Sequence, residues 1–194
     1  MPKGHLFIVS GPAGSGKTTV CERAIGELPN VQRVVTATTR KPRHGETDKT
    51  DYYFLSRETF ESEIAKGSFY EYAHVHNQLY GTLRSEVCNK LSGGTDLLLN
   101  IDVQGAAQMR KNATDDPLLQ GHLTTIFIMP ASIGALRKRL LQRASDAHDE
   151  IERRLIVAQG EMEQSIHYDY VIHSKTRDED FAALAKIYKE AARK

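Results

Sequence analysis

Short apolar runs alternate along this chain with segments of helical periodicity. Five runs have the length and the β-branched or aromatic content of strands: LFIVS (6–10), VQRVVTA (31–37), DLLLNID (96–102), LTTIFIM (123–129) and YDYVIH (168–173). Strands that alternate with helices form parallel sheets covered on both faces, and the nearly continuous apolar run at 97–101 is typical of such a strand. The pattern therefore predicts an α/β fold around a central parallel sheet.

The pattern changes between residues 38 and 92, where charged and glycine-containing loops surround short aromatic runs. These runs are YYFL (52–55), FYEYAHV (69–75) and LYGT (79–82). Period-two patterning with turn residues between the runs is typical of hairpins. We therefore expect a small antiparallel insertion in this part of the chain.

The residues after Pro130 have helical spacing. Two apolar stripes predict helices, the first with Ile133, Leu136 and Leu140 and the second with Ile151, Leu155, Ala158 and Met162. Between them, the polar segment ASDAHDE (144–150) is expected to be a mobile tip. A last amphipathic segment, with Phe181, Leu184, Ile187 and Tyr188, is expected to pack on the sheet.

Composition narrows the class of function. With 26 Lys and Arg residues against 25 Asp and Glu residues, the formal net charge is +1, which argues against a global basic field for nucleic acid. Cys21 and Cys88 show neither a C-x-x-C pattern nor a metal-ligand spacing, and we expect both to be packed structural residues. The N-terminal apolar run is too short for a signal peptide, and no later run could cross a bilayer. We expect a cytoplasmic protein that binds neither nucleic acid nor a membrane.

Residues 11–18, GPAGSGKT, match the phosphate-binding motif G-x-x-x-x-G-K-[ST] and lie between an apolar strand and a helical segment. Glycines let successive N–H groups turn toward phosphate oxygens, and the helix N-terminus adds partial positive charge. Lys17 is predicted to contact the terminal phosphates, and the Thr18 hydroxyl to bind Mg²⁺. The predicted phosphate-binding residues are Gly11, Ala13, Gly14, Ser15, Gly16, Lys17, Thr18 and Thr19. The motif predicts a nucleoside triphosphate and leaves the acceptor open.

A second phosphate site is a possible interpretation of Arg40 and Arg43, three residues apart around Pro42. Each arginine fork can donate two parallel hydrogen bonds to a dianionic phosphate, and the Tyr52 hydroxyl can add a neutral donor. A solvated charged loop would have the same spacing, so the spacing alone does not decide between the two.

The sequence resembles the guanylate kinases along nearly the whole chain. The segments that carry the resemblance are, in order, FIVSGPAGSGKT, TTRKPRHGE, FYEYAHVHNQLYGT, LLLNIDVQGA, IERRLIVAQGEM and YDYVI. The resemblance implies an α/β P-loop kinase with a central parallel sheet flanked by helices, a small mixed α/β GMP-binding insertion and a helical lid. The implied boundaries are about 1–35, 94–140 and 168–194 for the core, about 36–93 for the insertion and about 141–167 for the lid, within a single domain over 1–194.

The resemblance also implies roles for the acceptor residues. It places Arg40, Arg43, Tyr52 and Tyr80 on the phosphate of GMP, and Glu71 and Thr82 on its guanine. Thr36, Gly81 and Asp102 complete the implied GMP-binding set. The chemistry of guanine supports the assignment of Glu71, because N1–H and the exocyclic amine are adjacent donors that one carboxylate can accept, whereas adenine presents the wrong edge.

Phosphoryl transfer needs cations over the charge that develops on the transferred group. Arg139 and Arg143 share a helix face, and Arg143 interrupts the apolar stripe, which suggests a wet cleft. The resemblance assigns Arg139, Arg143 and Arg154, with Lys17 and Arg40, to catalysis.

Asp102, at the end of a predicted strand, is placed like a carboxylate that orients Mg²⁺, directly or through water. Two positions depart from the family: Asn100, where aspartate is usual, and Ser174, where asparagine is usual. The first puts a contribution of position 100 to metal or GMP binding in question, and the second predicts looser selectivity for the donor base.

The leading hypothesis is ATP- and Mg²⁺-dependent phosphorylation of GMP to GDP, with dGMP as a second acceptor. One alternative is a related P-loop kinase that acts on a sugar phosphate and has no use for Glu71 and Thr82. The other is a non-catalytic guanylate-kinase-like module that binds phosphorylated or acidic protein segments and has little need for Lys17. The predicted partners are GMP and ATP, and the sequence does not distinguish a monomer from a homo-oligomer.

Overall fold

The computed structural model describes residues 3–75, 77–142 and 148–191. The strands are β1 (Leu6–Ser10), β2 (Val31–Arg33), β3 (Ala37–Thr38), β4 (Tyr53–Phe54), β5 (Phe69–Val75), β6 (Gln78–Leu83), β7 (Asp96–Asn100), β8 (Leu123–Met129) and β9 (Tyr170–His173). The helices are α1 (Lys17–Glu27), α2 (Arg57–Ala65), α3 (Arg84–Ser92), α4 (Val103–Ala113), α5 (Ile133–Gln142), α6 (His148–Glu163) and α7 (Arg177–Ala191), with a 3₁₀ turn at Gln164–His167.

Five strands form a parallel sheet in the order β2-β7-β1-β8-β9, flanked by helices. The predicted central sheet is confirmed, and β1 and β8 have the bounds that their apolar runs predicted. Every residue of β1 is buried, as expected for a strand covered on both faces. β7 ends at Asn100, so Asp102 lies two residues beyond the end of its strand.

The other four strands form a mixed sheet in the order β4-β3-β6-β5. The expected antiparallel pairing is confirmed for β3 with β6 and for β5 with β6, but it is wrong for β3 and β4, which are parallel. The reason is the long connection from β3 to β4, since a dozen or more residues allow the chain to return in the same direction.

The prediction of one strand over 31–37 is also wrong, because β2 and β3 belong to different sheets. Val34 and Val35 lie between the two strands and are buried, so the apolar run continues where the strand does not. The Val35 N–H donates to the Glu86 carboxylate at 3.0 Å. The Val35 N–H is therefore satisfied by a buried side chain and not by a neighbouring strand. The local sequence pattern does not reveal this difference.

By its internal contacts the chain divides into two compact units. The first unit comprises 1–6, 32–97 and 104–123, and the second comprises 7–31, 98–103 and 124–194. In the first unit a small core forms around Ala37, Phe60, Phe69 and Leu79, in which the rings of Phe60 and Phe69 stack at 4.4 Å.

The core of the second unit joins α1 and α7 to the central strands. Leu184 and Ile187 are buried in this core, and the Tyr188 ring packs on Phe7 at 5.4 Å, which confirms the expected packing of the last helix. Cys21 is buried in the same core, and burial raises the pKa of its thiol to about 12. This cysteine is therefore a packed thiol rather than a nucleophile.

The two predicted apolar stripes after Pro130 meet in a separate cluster of the second unit, which contains Leu136, Leu140, Ile151, Leu155 and Ala158. The predicted tip at 144–150 lies largely outside the described residues, and α6 already begins at His148. Within the described ranges, no helix combines the length and the apolar character needed to cross a bilayer.

Candidate functional site

The loop between β1 and α1 has the backbone that its glycines predicted. Gly11, Gly14 and Gly16 have φ values of 140°, 83° and 108°, in the region that side chains rarely adopt. A Cβ on Gly11 would lie 2.5 Å from the Ile128 carbonyl oxygen of β8. α1 begins at Lys17, directly after Gly16, so the N-terminus of the helix and its orphan N–H groups belong to the loop.

Two cations are bound to carbonyl oxygens of this loop. The Lys17 ammonium donates to the carbonyls of Gly11 at 2.6 Å and Pro12 at 2.9 Å. The Arg139 guanidinium, from α5, donates to the carbonyls of Ser15 at 3.1 Å and Gly14 at 3.4 Å. Carbonyl oxygens are neutral acceptors, so these hydrogen bonds orient the two cations without neutralising their charge.

A cavity of about 220 Å³ lies on the loop, and its lining residues are Ala13, Gly14, Gly16, Lys17, Thr18 and Thr19. Six of the eight predicted phosphate-binding residues thus line one cavity, while Gly11 and the buried Ser15 do not. The combination of backbone N–H groups, a helix N-terminus and a lysine suits phosphate groups.

Side chains with oxygen atoms that could bind a metal ion lie beside the loop. The Asn100 amide donates to the Thr18 hydroxyl at 3.4 Å, and Asp102 is exposed two residues later. Among the described residues, no group of three or more His, Cys, Asp or Glu side chains could hold a metal ion. A hydroxyl and a carboxylate with nucleotide phosphates fit Mg²⁺, which keeps several waters and is bound through few protein ligands.

A glutamate that the sequence analysis missed belongs to the same surroundings. Glu161, on α6, is half-buried, and burial raises the pKa of its carboxyl group. Lys17 opposes this pKa shift and Asp102 adds to it. The available signal was its position next to the apolar stripe of α6, one turn after Ala158.

A larger cavity of about 640 Å³ shares residues of the loop and is a candidate for the donor base and ribose. Its lining residues are Gly14, Gly16, Thr19, Val20, Arg23, Arg139, Lys175, Arg177, Asp178 and Asp180. The Ser174 hydroxyl donates to Asp180 at 2.8 Å, and the Lys175 N–H donates to the other oxygen of that carboxylate. The Ser174 hydroxyl proton is therefore used in a hydrogen bond within the protein.

In the first unit, the predicted base-reading pair is formed by direct neighbours. Glu71 of β5 and Thr82 of β6 are cross-strand partners, and the Thr82 hydroxyl donates to the Glu71 carboxylate at 2.6 Å. Glu71 is 6% exposed and Thr82 is fully buried. Gly81 allows this close pairing, since a Cβ there would lie 2.8 Å from the Glu71 carbonyl oxygen. The Glu71 carboxylate is thus buried and bound across the two strands to Thr82.

The predicted acceptor-phosphate residues cluster around one carboxylate. Arg40 donates from both terminal nitrogens to the two oxygens of Glu46, each at 2.9 Å, and the Arg43 N–H donates to Glu46 at 2.7 Å. The Arg40 guanidinium lies 5.4 Å from the centre of the Tyr52 ring, and the rings of Tyr52 and Tyr80 are 6.1 Å apart. Both arginines, both tyrosines and Glu46 therefore form one group.

Glu86, also missed from the sequence, binds two segments that adjoin this group. Its buried carboxylate accepts the Val35 N–H and the Tyr53 hydroxyl, the latter at 2.8 Å. Burial, with the Glu86 hydrogen bond, raises the pKa of Tyr53 to about 12. The Tyr53 N–H donates to the Thr36 carbonyl at 2.9 Å, so Thr36 is bound to the residue that follows Tyr52.

The predicted site residues thus fall into two groups. The first unit contains Thr36, Arg40, Arg43, Tyr52, Glu71, Tyr80, Gly81 and Thr82, and the second contains the phosphate-binding loop, Asp102, Arg139 and Arg154. Arg154 is half-buried on α6. Arg143 lies outside the described residues. Glu46 could have been noticed only as an acidic residue in the arginine-rich loop, a weak signal.

Comparisons with known proteins agree on one family. A protein-family model described as guanylate kinase matches residues 3–191. The curated guanylate kinase of Geobacter metallireducens is 43% identical over 170 residues, which cover 88% of this chain and 80% of that protein. The guanylate kinase of Thiobacillus denitrificans is 40% identical over 184 residues, 95% of this chain and 85% of that protein. The crystal structure of guanylate kinase from Anaplasma phagocytophilum is similar with a TM-score of 0.75 at 30% identity, covering 100% of this chain and 89% of that one.

Proposed function

The chain belongs to the guanylate kinase family, and on this premise we propose that it transfers the γ-phosphoryl group of ATP to GMP, giving ADP and GDP. An oxygen of the GMP phosphate forms the new bond to the γ-phosphorus, and the bond from that phosphorus to the bridging β–γ oxygen breaks. The assigned residues bind the base and the phosphate of GMP, and none is assigned to the 2′-hydroxyl. dGMP is therefore proposed as a second acceptor.

The observation that carries the proposal is the buried pair of Glu71 and Thr82. Glu71 accepts a hydrogen bond from Thr82, and a carboxylate, which has about four lone-pair sites, can also accept from the adjacent N1–H and amine donors of guanine. A base that offers an acceptor there would place two acceptors against each other in a buried site. Sites built in this way reject the wrong substrate by 10⁴-fold or more, in order of magnitude.

The other residues supply charge and alignment. We propose that Arg40, Arg43, Tyr52 and Tyr80 bind the GMP phosphate, and that Lys17, Arg139, Arg143 and Arg154 bind the transferring phosphoryl group. Bidentate arginines suit a phosphate, and cations stabilise the charge on the equatorial oxygens of the transition state. Mg²⁺, held by Thr18 and Asp102 directly or through water, would neutralise part of the phosphate charge.

The alternatives receive less support from the same contacts. A sugar-phosphate kinase has no use for a buried acceptor beside a hydroxyl in the first unit, where Glu71 and Thr82 lie. A non-catalytic binding module has little need for Lys17 and Thr18, both of which the loop retains. The proposal also includes a cytoplasmic location, where both nucleotides occur.

The test is a turnover assay with ATP and Mg²⁺ in which GMP, dGMP, AMP, CMP, UMP and dTMP are offered one at a time. ADP formation is expected with GMP, more slowly with dGMP, and at background with the other nucleotides. Absence of turnover with GMP, or equal turnover with AMP, would contradict the proposal. A sugar-phosphate panel run in parallel tests the first alternative directly.

A further inference from the structure

The acceptor loop contains a carboxylate for which the reaction as proposed above has no role. Glu46 accepts three hydrogen bonds: two from the Arg40 guanidinium and one from the Arg43 N–H. Its side chain is 21% exposed and that of Arg40 is 17% exposed, so the pair is well packed for residues of a charged loop. A solvated surface pair does not usually have fork geometry and a backbone donor together.

The hydrogen bonds fix which edge of the Arg40 guanidinium is used. Nη1 and Nη2 both donate to Glu46, and Nη1 also donates to the Lys41 carbonyl at 2.8 Å. A guanidinium has five N–H donors, and these three bonds leave those of Nε and the outer position of Nη2, which share the other edge. That edge is itself a fork of the kind that binds a phosphate.

The surroundings of Arg40 agree with this orientation. The electrostatic influence of the Tyr80 hydroxyl, after that of Glu46, raises the pKa of Arg40. The rings of Tyr52 and Phe54 lie 5.4 and 5.8 Å from the guanidinium carbon. Arg40 is therefore held by a carboxylate and by two aromatic faces rather than by solvent.

We propose that Glu46 is a positioning residue for the acceptor site: its carboxylate holds one edge of Arg40, so that the other edge, with Tyr80, is presented to the phosphate of GMP. The inference rests on the proposed function, and it assigns no contact between Glu46 and the substrate. Preorganisation of this kind improves binding because the arginine need not be ordered when GMP arrives.

The pair keeps its charges at working pH. Hydrogen bonds from Arg40 and from the Arg43 backbone lower the pKa of Glu46 from 4.5 to about 2. Because the folded-state pKa is depressed, the interaction is fully present above pH 4.5 and is lost only as the pH falls toward 2. A neutral side chain at position 46 therefore removes an interaction that is complete at pH 7.

The experiment compares the variant Glu46→Gln with the native chain in steady-state assays over GMP and over ATP. The KM for GMP is expected to rise about tenfold, while kcat falls less than about threefold and the KM for ATP stays unchanged. The matched control is Glu61→Gln, which removes an exposed carboxylate paired with Arg57 in the same unit and is expected to change neither constant. Glu46→Asp keeps the charge and is expected to give an intermediate KM.

A double-mutant cycle separates positioning from a general structural role. Arg40→Lys keeps the charge but lacks the fork, so the further change Glu46→Gln should raise the KM for GMP less than about twofold in that background. If the two changes raised the KM for GMP by independent factors that multiply, the proposal would be overturned, because Glu46 would then act independently of Arg40.

Other outcomes are equally decisive. An unchanged KM for GMP in Glu46→Gln would overturn the proposal, and a lowered KM would show that Glu46 competes with the phosphate. If Glu46→Gln does not fold, Glu46→Asp with the cycle partner Arg40→Lys carries the same comparison. Failure of the proposed function is distinguishable, since the native chain would then show no turnover with GMP.

Discussion

The two groups of site residues hold their charged side chains in different ways. In the second unit, Lys17 and Arg139 donate to backbone carbonyls of the loop. In the first unit, Arg40 donates to the Glu46 carboxylate and Glu71 accepts from the Thr82 hydroxyl. The proposed ATP-binding residues, called the donor group below, are thus held by main-chain carbonyls, whereas the proposed GMP-binding residues, called the acceptor group, are held by other side chains.

This difference indicates where each group is specific. A backbone cradle offers N–H groups to any phosphate chain and cannot distinguish one base from another. A buried carboxylate paired with a hydroxyl accepts only a base with matching donors. We therefore expect substitutions in the donor group to change rate for every acceptor, and substitutions in the acceptor group to change which acceptor is used.

The largest expected effect is the loss of base selection in Glu71→Ala. The preference for GMP over AMP, measured as the ratio of kcat/KM values, should fall by about 10⁴-fold. The reason is that the variant lacks the buried carboxylate that accepts from guanine and disfavours adenine. Equilibrium binding of an ATP analogue should not change. If preference for GMP survives in a variant with native-like thermal unfolding, base selection does not depend on this side chain.

A smaller effect, but on all acceptors alike, is expected for Lys17→Ala. Removing one preorganised cation from the transferring group should lower kcat by about 10³-fold. GMP affinity, measured by calorimetry without ATP, should be unchanged. Lys66→Ala is the matched control, since Lys66 is an exposed lysine paired with Glu63 in the first unit. If Lys17→Ala also lost affinity for GMP, the two groups would not differ in the way proposed here.

Asn100→Asp tests the charge beside Thr18. A carboxylate in place of the amide should lower the Mg²⁺ concentration needed for binding of a non-hydrolysable ATP analogue by several-fold, about the effect of one added charge in a solvated site. The readout is analogue fluorescence titrated with Mg²⁺, which does not depend on turnover. An unchanged Mg²⁺ midpoint would show that position 100 lies outside the influence of the metal.

The smallest effect is expected for Glu161→Gln. Burial raises the folded-state pKa of Glu161 above 4.5, so ionisation costs free energy in the folded state, and native stability falls as the pH rises through that range. Because the side chain is partly solvated, we expect the variant to melt only about 1–2 °C higher at pH 7. At pH 4 the two melting temperatures should converge, and a gain that persists there would point to packing instead.

The sequence was most informative where the determinants are local. The glycines, Lys17 and Thr18 lie within eight consecutive residues, and β1 and β8 are short, mainly apolar runs with the predicted bounds. The run at 31–37 misled because Val34 and Val35 are buried without belonging to a strand, and Glu86, which accepts the Val35 N–H, is about fifty residues away. Periodicity reports burial, but it does not report which group satisfies the backbone.

The acceptor group depended on the family resemblance for the same reason. Glu71 and Thr82 become neighbours only through the register of β5 and β6, which no short window of sequence specifies. In the sequence Glu46 is only an acidic residue in a charged loop, and its role becomes visible through its contacts with Arg40 and Arg43. Side chains that position other side chains leave little trace in a single sequence.

The close approach of Gly11 to β8 has a consequence for relatives that have lost catalysis. A side chain at this position would collide with the Ile128 carbonyl whether or not a nucleotide is bound. Selection for folding alone would therefore retain the glycine in an inactive descendant, while Lys17 would be free to drift. In a collection of related chains, an intact lysine is the better marker of a working enzyme, and the glycine marks only an intact sheet.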